Sequence, residues 1–181
     1  QIINETRIDK SALFRYLEIL MKFNYLSQEK NIFAKTNSRN NRYVLNNNYF
    51  KFYFNFIKQN KQLLESKQTQ LAIREIKERF DTYFSWIFEE ICKEYTLHKY
   101  QCNQVGSYWH KETEIDIIGI SKNKKTIFIG ECKWKEDIEK EKEMTKLKTK
   151  KIHMPKEYEK YKKEYLLFTR KELNEIIKEL I

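Results

Sequence analysis

The pattern of apolar and polar positions predicts a helix followed by a two-stranded hairpin near the start of the chain. Apolar residues recur at helical spacing over residues 10–21, and short extended segments follow at 31–35 and 42–45. The polar, basic stretch at 36–41 is typical of a turn. This combination indicates a winged helix-turn-helix unit, which offers its helix to a DNA groove and its wing to phosphates. An ordinary helix-hairpin packing module has the same pattern, so this alternative stays open.

Six aromatic residues are concentrated at positions 49–57. Such a block could stack nucleic-acid bases, but without interleaved arginines it favours a short buried helix or strand. The segment that follows, residues 59–70, is polar and is interpreted as a linker. The chain is therefore expected to consist of a winged-helix unit at 1–58, this linker, and a second domain at 71–181.

The strongest periodicity lies in residues 71–97 and predicts one long amphipathic helix. Its apolar stripe consists of Ile73, Ile76, Phe80, Phe84, Ile87 and Ile91. The later predicted elements are strands at 105–109, 114–120 and 126–133, a charged helix at 136–152, a strand at 165–169 and a closing helix at 171–181. The loop at 121–125 is short enough to make a hairpin of the second and third strands. The predicted order after residue 70 is α-β-β-β-α-β-α.

Charge and composition narrow the functional classes. The 181 residues include 36 Lys and Arg against 26 Asp and Glu, which gives a formal net charge of +10. The excess is concentrated in residues 1–60, where ten basic residues face four acidic ones, and it suggests contact with a polyanion such as DNA. Only 3 Gly and 1 Pro are present, which excludes collagen-like and low-complexity chains.

Cysteine usage and hydropathy indicate a cytoplasmic protein without a membrane partner. No stretch approaches the roughly 18 uninterrupted apolar residues of a membrane span, and no signal-peptide pattern opens the chain. The three cysteines, Cys92, Cys102 and Cys132, are an odd number, and their separations do not match those of metal ligands. Reduced thiols are therefore expected.

Charged residues inside the two apolar runs at 114–120 and 126–133 indicate a candidate functional site. If the runs pair as a hairpin, Asp116 and Glu131 meet near one end of the ladder, and Lys133 lies on the same strand face as Glu131. Two carboxylates brought together on apolar strands repel each other and resist burial unless a cation lies between them. A hard divalent ion with oxygen ligands, typically Mg²⁺, would resolve this conflict. A plain salt bridge between Asp116 and Lys133 is the structural alternative.

These residues resemble the motif of the PD-(D/E)XK nuclease superfamily, in which a lone acid precedes a (D/E)-x-K triplet on the next strand. Asp116 matches the lone acid, and residues 131–133 (Glu-Cys-Lys) match the triplet. More specifically, residues 10–181 resemble the C-terminal region of archaeal-type DEXX-box ATPases. The matching stretches are residues 42–45, 49–57, 88–92, 106–109, 114–116 and 130–134.

The resemblance implies an α/β protein in which an N-terminal winged helix-turn-helix precedes a restriction-endonuclease-like α-β-β-β-α-β core. It also implies metal-dependent hydrolysis of DNA phosphodiester bonds. Asp116, Glu131 and the Cys132 carbonyl would then hold Mg²⁺ (or Mn²⁺). Lys133 would position the attacking water or stabilise the transition state, and Glu89 on the preceding helix would support the water or a second ion. By helical phase, however, Glu89 lies opposite the predicted stripe, whereas Glu90 lies at its edge.

Basic residues outside this motif are the expected DNA contacts. They are Lys35, Arg39 and Arg42 around the hairpin tip, and Lys135 beside the triplet.

The sequence departs from the resembled ATPases in one respect, because it contains no P-loop. An ATPase domain preceding Gln1 in a longer parent chain is therefore a possible partner. The alternative function is a non-catalytic domain of such an ATPase that binds DNA or a protein partner. A free-standing winged-helix regulator is a third hypothesis, but it leaves the acids of the apolar runs unexplained.

Overall fold

The protein is a mixed α/β structure with two sheets, and its computed structural model describes residues 2–35 and 41–181. The described residues form two compact units. The first combines residues 2–30 with 41–75, and the second combines residues 31–35 with 76–181. Among the described residues, no helix is both long enough and apolar enough to cross a bilayer.

The first unit contains a two-stranded antiparallel sheet and several short helices. Its elements are α1 (Ile2–Thr6), α2 (Lys10–Lys22), β1 (Leu26–Lys30), β2 (Asn41–Leu45), α3 (Asn48–Phe52), a π-helical turn (Tyr53–Ile57) and α4 (Lys61–Glu65). The α2 helix begins where the Asp9 carboxylate accepts hydrogen bonds from the amides of Ser11 and Ala12. It buries Leu13 and Leu17, as the periodicity predicts.

The predicted hairpin exists, but its first strand begins five residues earlier than predicted. β1 pairs with β2 from Leu26↔Leu45 to Lys30↔Asn41, so the strand lies before the predicted segment 31–35. That segment belongs to the second unit, where the Ile32 amide donates to the Ser107 carbonyl oxygen at 3.0 Å. Its apolar residues made the segment look like a strand, but they serve a different core.

The aromatic block forms a helix that is buried on one side only. α3 runs directly into the π-helical turn, and the Phe56 ring on one side is fully buried. On the other side, Tyr49 and Phe54 are exposed. The expectation of a buried segment is therefore correct for Phe56 and wrong for Tyr49 and Phe54.

The segment interpreted as a linker, residues 59–70, is largely helical. It contains α4 and the beginning of α5, which runs from Thr69 to Lys99. The division between the two units falls after Glu75, inside α5. The long helix predicted at 71–97 is confirmed.

The second unit contains a four-stranded sheet with helices on both faces. Its elements after α5 are β3 (Gln104–His110), β4 (Thr113–Ser121), β5 (Thr126–Lys133), α6 (Lys140–Thr149), a 3₁₀ turn (Lys156–Tyr158), β6 (Lys162–Thr169), a second 3₁₀ turn (Arg170–Glu172) and α7 (Leu173–Leu180). This is the predicted order α-β-β-β-α-β-α. The strand order is β3-β4-β5-β6, with β5 and β6 parallel and the other pairs antiparallel.

The central hairpin β4-β5 is buried on both faces, so its strands read as near-continuous apolar runs. One face packs against Leu147 of α6, and the other packs against Phe88 and Cys92 of α5. The predicted stripe of α5 is correct only in part, because Phe84 and Ile91 pack against this core whereas Ile73 and Phe80 are exposed. Apolar residues occur on more than one side of this helix, and spacing alone does not show which side faces the sheet.

Close packing of α5 on the sheet depends on glycine at position 119 of β4. A Cβ atom there would lie 2.9 Å from Cys102 Sγ and 3.0 Å from Thr96 Cγ2. At Gly106 of β3, the nearest atom would be Ile32 Cβ at 3.5 Å, an ordinary contact. The two strand glycines therefore differ in the space available for a side chain.

We expect Gly119→Ala to lower the free energy of unfolding by about 1–3 kcal/mol, because the added methyl group overpacks the core. Gly106→Ala is the matched control, and there the lost backbone entropy of glycine predicts an unchanged or slightly higher stability. Urea unfolding of both variants measures the difference. Equal stability of the two variants would contradict the close approach at Gly119.

Candidate functional site

The candidate site lies where β4 and β5 separate. The last pair of their ladder is Ile117↔Gly130, and the same register would place Asp116 opposite Glu131. On its other side, β4 is irregular against β3, because the register shifts between Gly106 and Tyr108. Irregularities of this kind occur next to active sites, where they redirect a side chain. The two strands therefore separate beside the two acids that the sequence predicts to lie together. This point, which comprises Asp116, Glu131, Cys132 and Lys133, is called the fork.

The Asp116 carboxylate connects the two strands beyond the ladder. Its Oδ2 atom accepts a hydrogen bond of 2.8 Å from the Cys132 amide, which has left the β4 pairing. Ser107 Oγ donates to the Asp116 carbonyl oxygen at 3.0 Å and fixes the backbone on the opposite side. Burial raises the pKa of the Asp116 carboxyl, and the nearby Glu131 carboxylate adds to the rise. Asp116 is thus held in position, but its negative charge is poorly compensated.

Glu131 is bound by two lysines. It is 9% exposed, and its Oε1 atom accepts from Lys133 Nζ at 2.8 Å while its Oε2 atom accepts from Lys150 Nζ at 2.6 Å. Lys150, which follows α6, also donates to the Glu114 carbonyl oxygen at 2.7 Å. Such a buried carboxylate depends on its partners for compensation, because an unpaired charge is costly to bury.

Lys133 is cationic in this site. Burial alone would lower its pKa, but the hydrogen bond to Glu131 and the charges of Glu131 and Asp116 outweigh it, so the pKa of Lys133 is raised. An ammonium group can stabilise a negative charge or orient a water molecule, whereas it cannot accept a proton. The alternative salt bridge between Asp116 and Lys133 does not form, because this lysine pairs with Glu131 at 2.8 Å instead.

Glu89, rather than Glu90, is the helix acid closest to the site. Burial raises the pKa of Glu89 to about 7, and the Asp116 charge is the next contribution. Glu90 is exposed on the same helix and pairs with Lys93 at 2.8 Å. Because the buried side of α5 is set by Phe88 and Cys92, Glu89 comes next to the fork, and the phase argument against it is wrong.

A cleft with a volume of about 400 Å³ opens beside Lys133. It is lined by Lys133, Lys135, Asp137, Ile138, Glu139, Lys142, Glu143 and Lys146. Lys135 therefore lies close to the candidate site. Three other residues were predicted as nucleic-acid contacts. Arg42 is exposed in the first unit, Lys35 is exposed in the second, and Arg39 lies outside the described residues.

Sequence reasoning missed two features of the second unit. Lys150 was not predicted as part of the site, because it comes from α6 and only the tertiary fold brings it to Glu131. His110 and His153 show no informative spacing, yet their ring centroids are 4.8 Å apart. The charged helix around Lys150 offered a weak signal, whereas the two histidines offered none.

The donor set fits a hard divalent ion in chemistry. Asp116, Glu131 and the Cys132 carbonyl supply oxygen atoms, and Mg²⁺ is commonly held by one or two carboxylates together with substrate phosphates. Within residues 2–35 and 41–181, no three His, Cys, Asp or Glu side chains are arranged to hold a metal ion. An ion at this fork would rely on two carboxylates, and it would compete with Lys150 for Glu131.

The profile of the DUF234 family, described as archaeal and bacterial proteins of unknown function, matches residues 53–152. The chain belongs to this family, and the matched segment contains every residue of the fork described above.

One curated relative is an uncharacterized protein of Methanocaldococcus jannaschii. It is 29% identical over 143 residues, which cover 75% of this chain and 32% of the relative. The chain thus spans about a third of the length of that relative. No solved structure matches the chain.

The raised pKa of Glu89 makes stability depend on pH. In the unfolded chain this carboxyl has a pKa near 4.5, whereas in the folded protein the pKa is about 7. Below pH 4.5 the group is neutral in both states. As the pH rises towards 7 the unfolded state releases its proton first, so the free energy of unfolding falls.

We expect Glu89→Gln to raise the free energy of unfolding at pH 8 by about 1 kcal/mol, a value discounted because the carboxyl is partly exposed to solvent. The gain should shrink towards pH 4.5. Urea unfolding in a metal-free buffer measures it, with Glu90→Gln as the exposed control on the same helix. A gain at pH 8 that is equal for both variants would contradict the burial of Glu89.

Proposed function

We propose that the second unit is a PD-(D/E)XK-type domain that hydrolyses phosphodiester bonds of DNA in a metal-dependent reaction. The observation that supports this most directly is the fork, where Asp116, Glu131 and Lys133 converge and Glu89 adds a further acid. Burial raises the pKa of both the Asp116 and the Glu89 carboxyl, and acids with raised pKa values are concentrated at functional sites. In the same proposal, α2 and the β1-β2 sheet of the first unit form a winged helix that binds DNA.

Each residue of the fork has a role in this proposal. Asp116, Glu131 and the Cys132 carbonyl would hold Mg²⁺ or Mn²⁺. The ion supplies charge neutralisation and a more acidic bound water. The Lys133 ammonium stabilises the negative charge that develops on the phosphate, and Glu89 supplies a carboxylate to orient the attacking water.

The cleft beside Lys133 supports a phosphate-bearing substrate. Four lysines line it, and two of the three carboxylates among its lining residues are already paired with them, through Lys142–Glu139 and Lys146–Glu143. Lys133, which pairs with Glu131 in the fork, and Lys135 add two further positive charges to the cleft, and these can attract phosphate groups.

A non-catalytic domain of a larger ATPase is the second candidate function. The ion pair between Lys150 and Glu131 favours it, because an internal ammonium group already provides the positive charge that a metal ion would bring. The length of the archaeal relative, of which the chain spans about a third, leaves room for an ATPase domain in a longer protein. In this case the fork stabilises the fold, and the protein binds DNA or a partner without cleaving.

If the fork is catalytic, Asp116→Ala, Glu131→Ala and Lys133→Ala should each abolish cleavage of DNA in the presence of Mg²⁺ or Mn²⁺. Each change removes a proposed metal ligand or the charge that stabilises the transition state. Cleavage of linear, single-stranded and branched DNA measures the effect. Circular dichroism must show that the variants remain folded.

Glu159→Ala and Lys151→Ala are matched controls, because both side chains are exposed and lie outside the fork and the cleft. They should retain cleavage. A folded Lys133→Ala variant with full activity would contradict the mechanism. Absence of cleavage by the wild type on every substrate, together with metal-independent DNA binding, would favour the second function.

The competition at Glu131 predicts that removal of Lys150 strengthens metal binding. We expect Lys150→Met to bind Mn²⁺ about tenfold more tightly than the wild type, since a cation next to the ligand is lost. Isothermal titration calorimetry measures the affinity, and Lys151→Met is the control for a general loss of charge. If neither the wild type nor Lys150→Met binds metal, the fork is not a metal site.

A further inference from the structure

The first unit has an aromatic surface that the proposed cleavage chemistry does not use. Six rings contact one another in a continuous series, and this group is named the aromatic surface here. Its members are Phe23, Tyr25, Phe50, Tyr49, Tyr53 and Phe54. Neighbouring ring centroids along this series are 5.4–6.5 Å apart.

The helical backbone separates these rings from the buried side of the same segment. Phe52 and Phe56 contact each other at 5.1 Å on the buried side, with Phe56 only 1% exposed. Tyr49 and Phe54 point away from it and are 66% and 44% exposed. On this helical segment Phe56 packs into the first unit, so packing does not explain why Tyr49 and Phe54 are exposed.

The charges in the segment that carries four of these six rings are of one sign. Residues 41–64 of the first unit contain four Lys or Arg and seven aromatic residues, but no Asp or Glu. Among the described residues, Lys58 places its ammonium 5.4 Å from the centroid of the Phe54 ring. A protein partner would have to supply all the negative charge, whereas a nucleic acid does so with every nucleotide.

We propose that the aromatic surface binds single-stranded nucleic acid by stacking bases on Tyr49 and Phe54, with Lys58 contacting the backbone phosphates. Stacking on aromatic rings accepts any base, since every base has a π-face, and cationic side chains then follow the strand. A duplex hides the faces of its bases and cannot use these rings. This site is distinct from the fork, because it requires neither the carboxylates nor a metal ion.

The binding of a fluorescein-labelled oligodeoxythymidylate of about 16 nucleotides tests the proposal. Fluorescence anisotropy is measured with the full chain in EDTA, so that the cleavage chemistry does not contribute. A duplex of the same length is the comparison, because the proposed winged helix can bind it without these rings. Tyr49→Ala and Phe54→Ala should each weaken binding about tenfold, since each removes one stacking platform.

Three further variants separate stacking from other effects. Tyr49→Phe keeps the ring and should retain wild-type affinity. Lys58→Gln should reduce the slope of log affinity against log salt by about 0.7, the value for one phosphate contact on a single strand. Trp86→Ala is the control, because this residue is 50% exposed on α5 but lies in the other unit. It should leave binding unchanged.

Several results would overturn the proposal. These are no binding of the single strand, equal binding of it by Tyr49→Ala, Phe54→Ala and the wild type, or an equal loss of duplex binding in the two variants. Sedimentation of the wild type and of Tyr49→Ala provides a last check. A wild-type dimer that becomes a monomer in the variant would assign the aromatic surface to self-association instead. Because all measurements exclude metal, a failure here leaves the cleavage proposal unaffected, and the reverse also holds.

Discussion

The separation of β4 from β5 is the constraint on which the candidate site depends. Beyond the Ile117–Gly130 pair the Cys132 amide has no partner on β4's backbone, and Asp116 Oδ2 accepts its hydrogen bond instead. A buried amide without a partner is costly, so this bond holds the carboxylate at the fork. The apolar hairpin behind the fork is fully buried, and its packing fixes where the strands can separate. Charge is thus concentrated at the only end of the hairpin where the described strands diverge in this way.

The charges at the fork are compensated unevenly. Glu131 receives two ammonium groups and Asp116 receives one amide. Ionisation of Glu89 is favoured by the Lys93 charge but opposed more strongly by burial and by Asp116. Such an arrangement costs stability in the absence of a ligand, because the raised pKa values of two acids express unfavourable ionisation. Functional sites commonly retain this kind of cost, and a bound cation would relieve it. The lysine at position 150 relieves it only for Glu131.

Local patterns predicted the site better than its surroundings. Strand alternation and a short loop were sufficient to place Asp116 opposite Glu131, since both act over a few residues. The face of α5 that meets the sheet could not be found in this way, and Phe88 and Cys92 were missed because apolar residues lie on several sides of the helix. The contact of Lys150 with Glu131 depends on how α6 packs, so the spacing of residues in the sequence does not predict this contact. The apolar segment at 31–35 was taken for a strand for a similar reason, because its packing partner Tyr108 is distant in sequence.

The two units differ in the charges that they present to a ligand, and this difference narrows the ligand chemistry that would suit both. In the second unit, acids are buried together with lysines, so an added phosphate group finds both a cation and a site where a metal ion could enter. In the first unit, the rings at 49–54 of the aromatic surface lie in a segment, residues 41–64, that contains no acid, which attracts a polyanion but offers no carboxylate to hold a metal. If both proposals hold, a ligand with phosphates and exposed rings would suit the two surfaces, and nucleic acid has both. Since the rings require unpaired bases whereas the fork requires only a phosphodiester, a substrate with single-stranded regions accommodates both proposals.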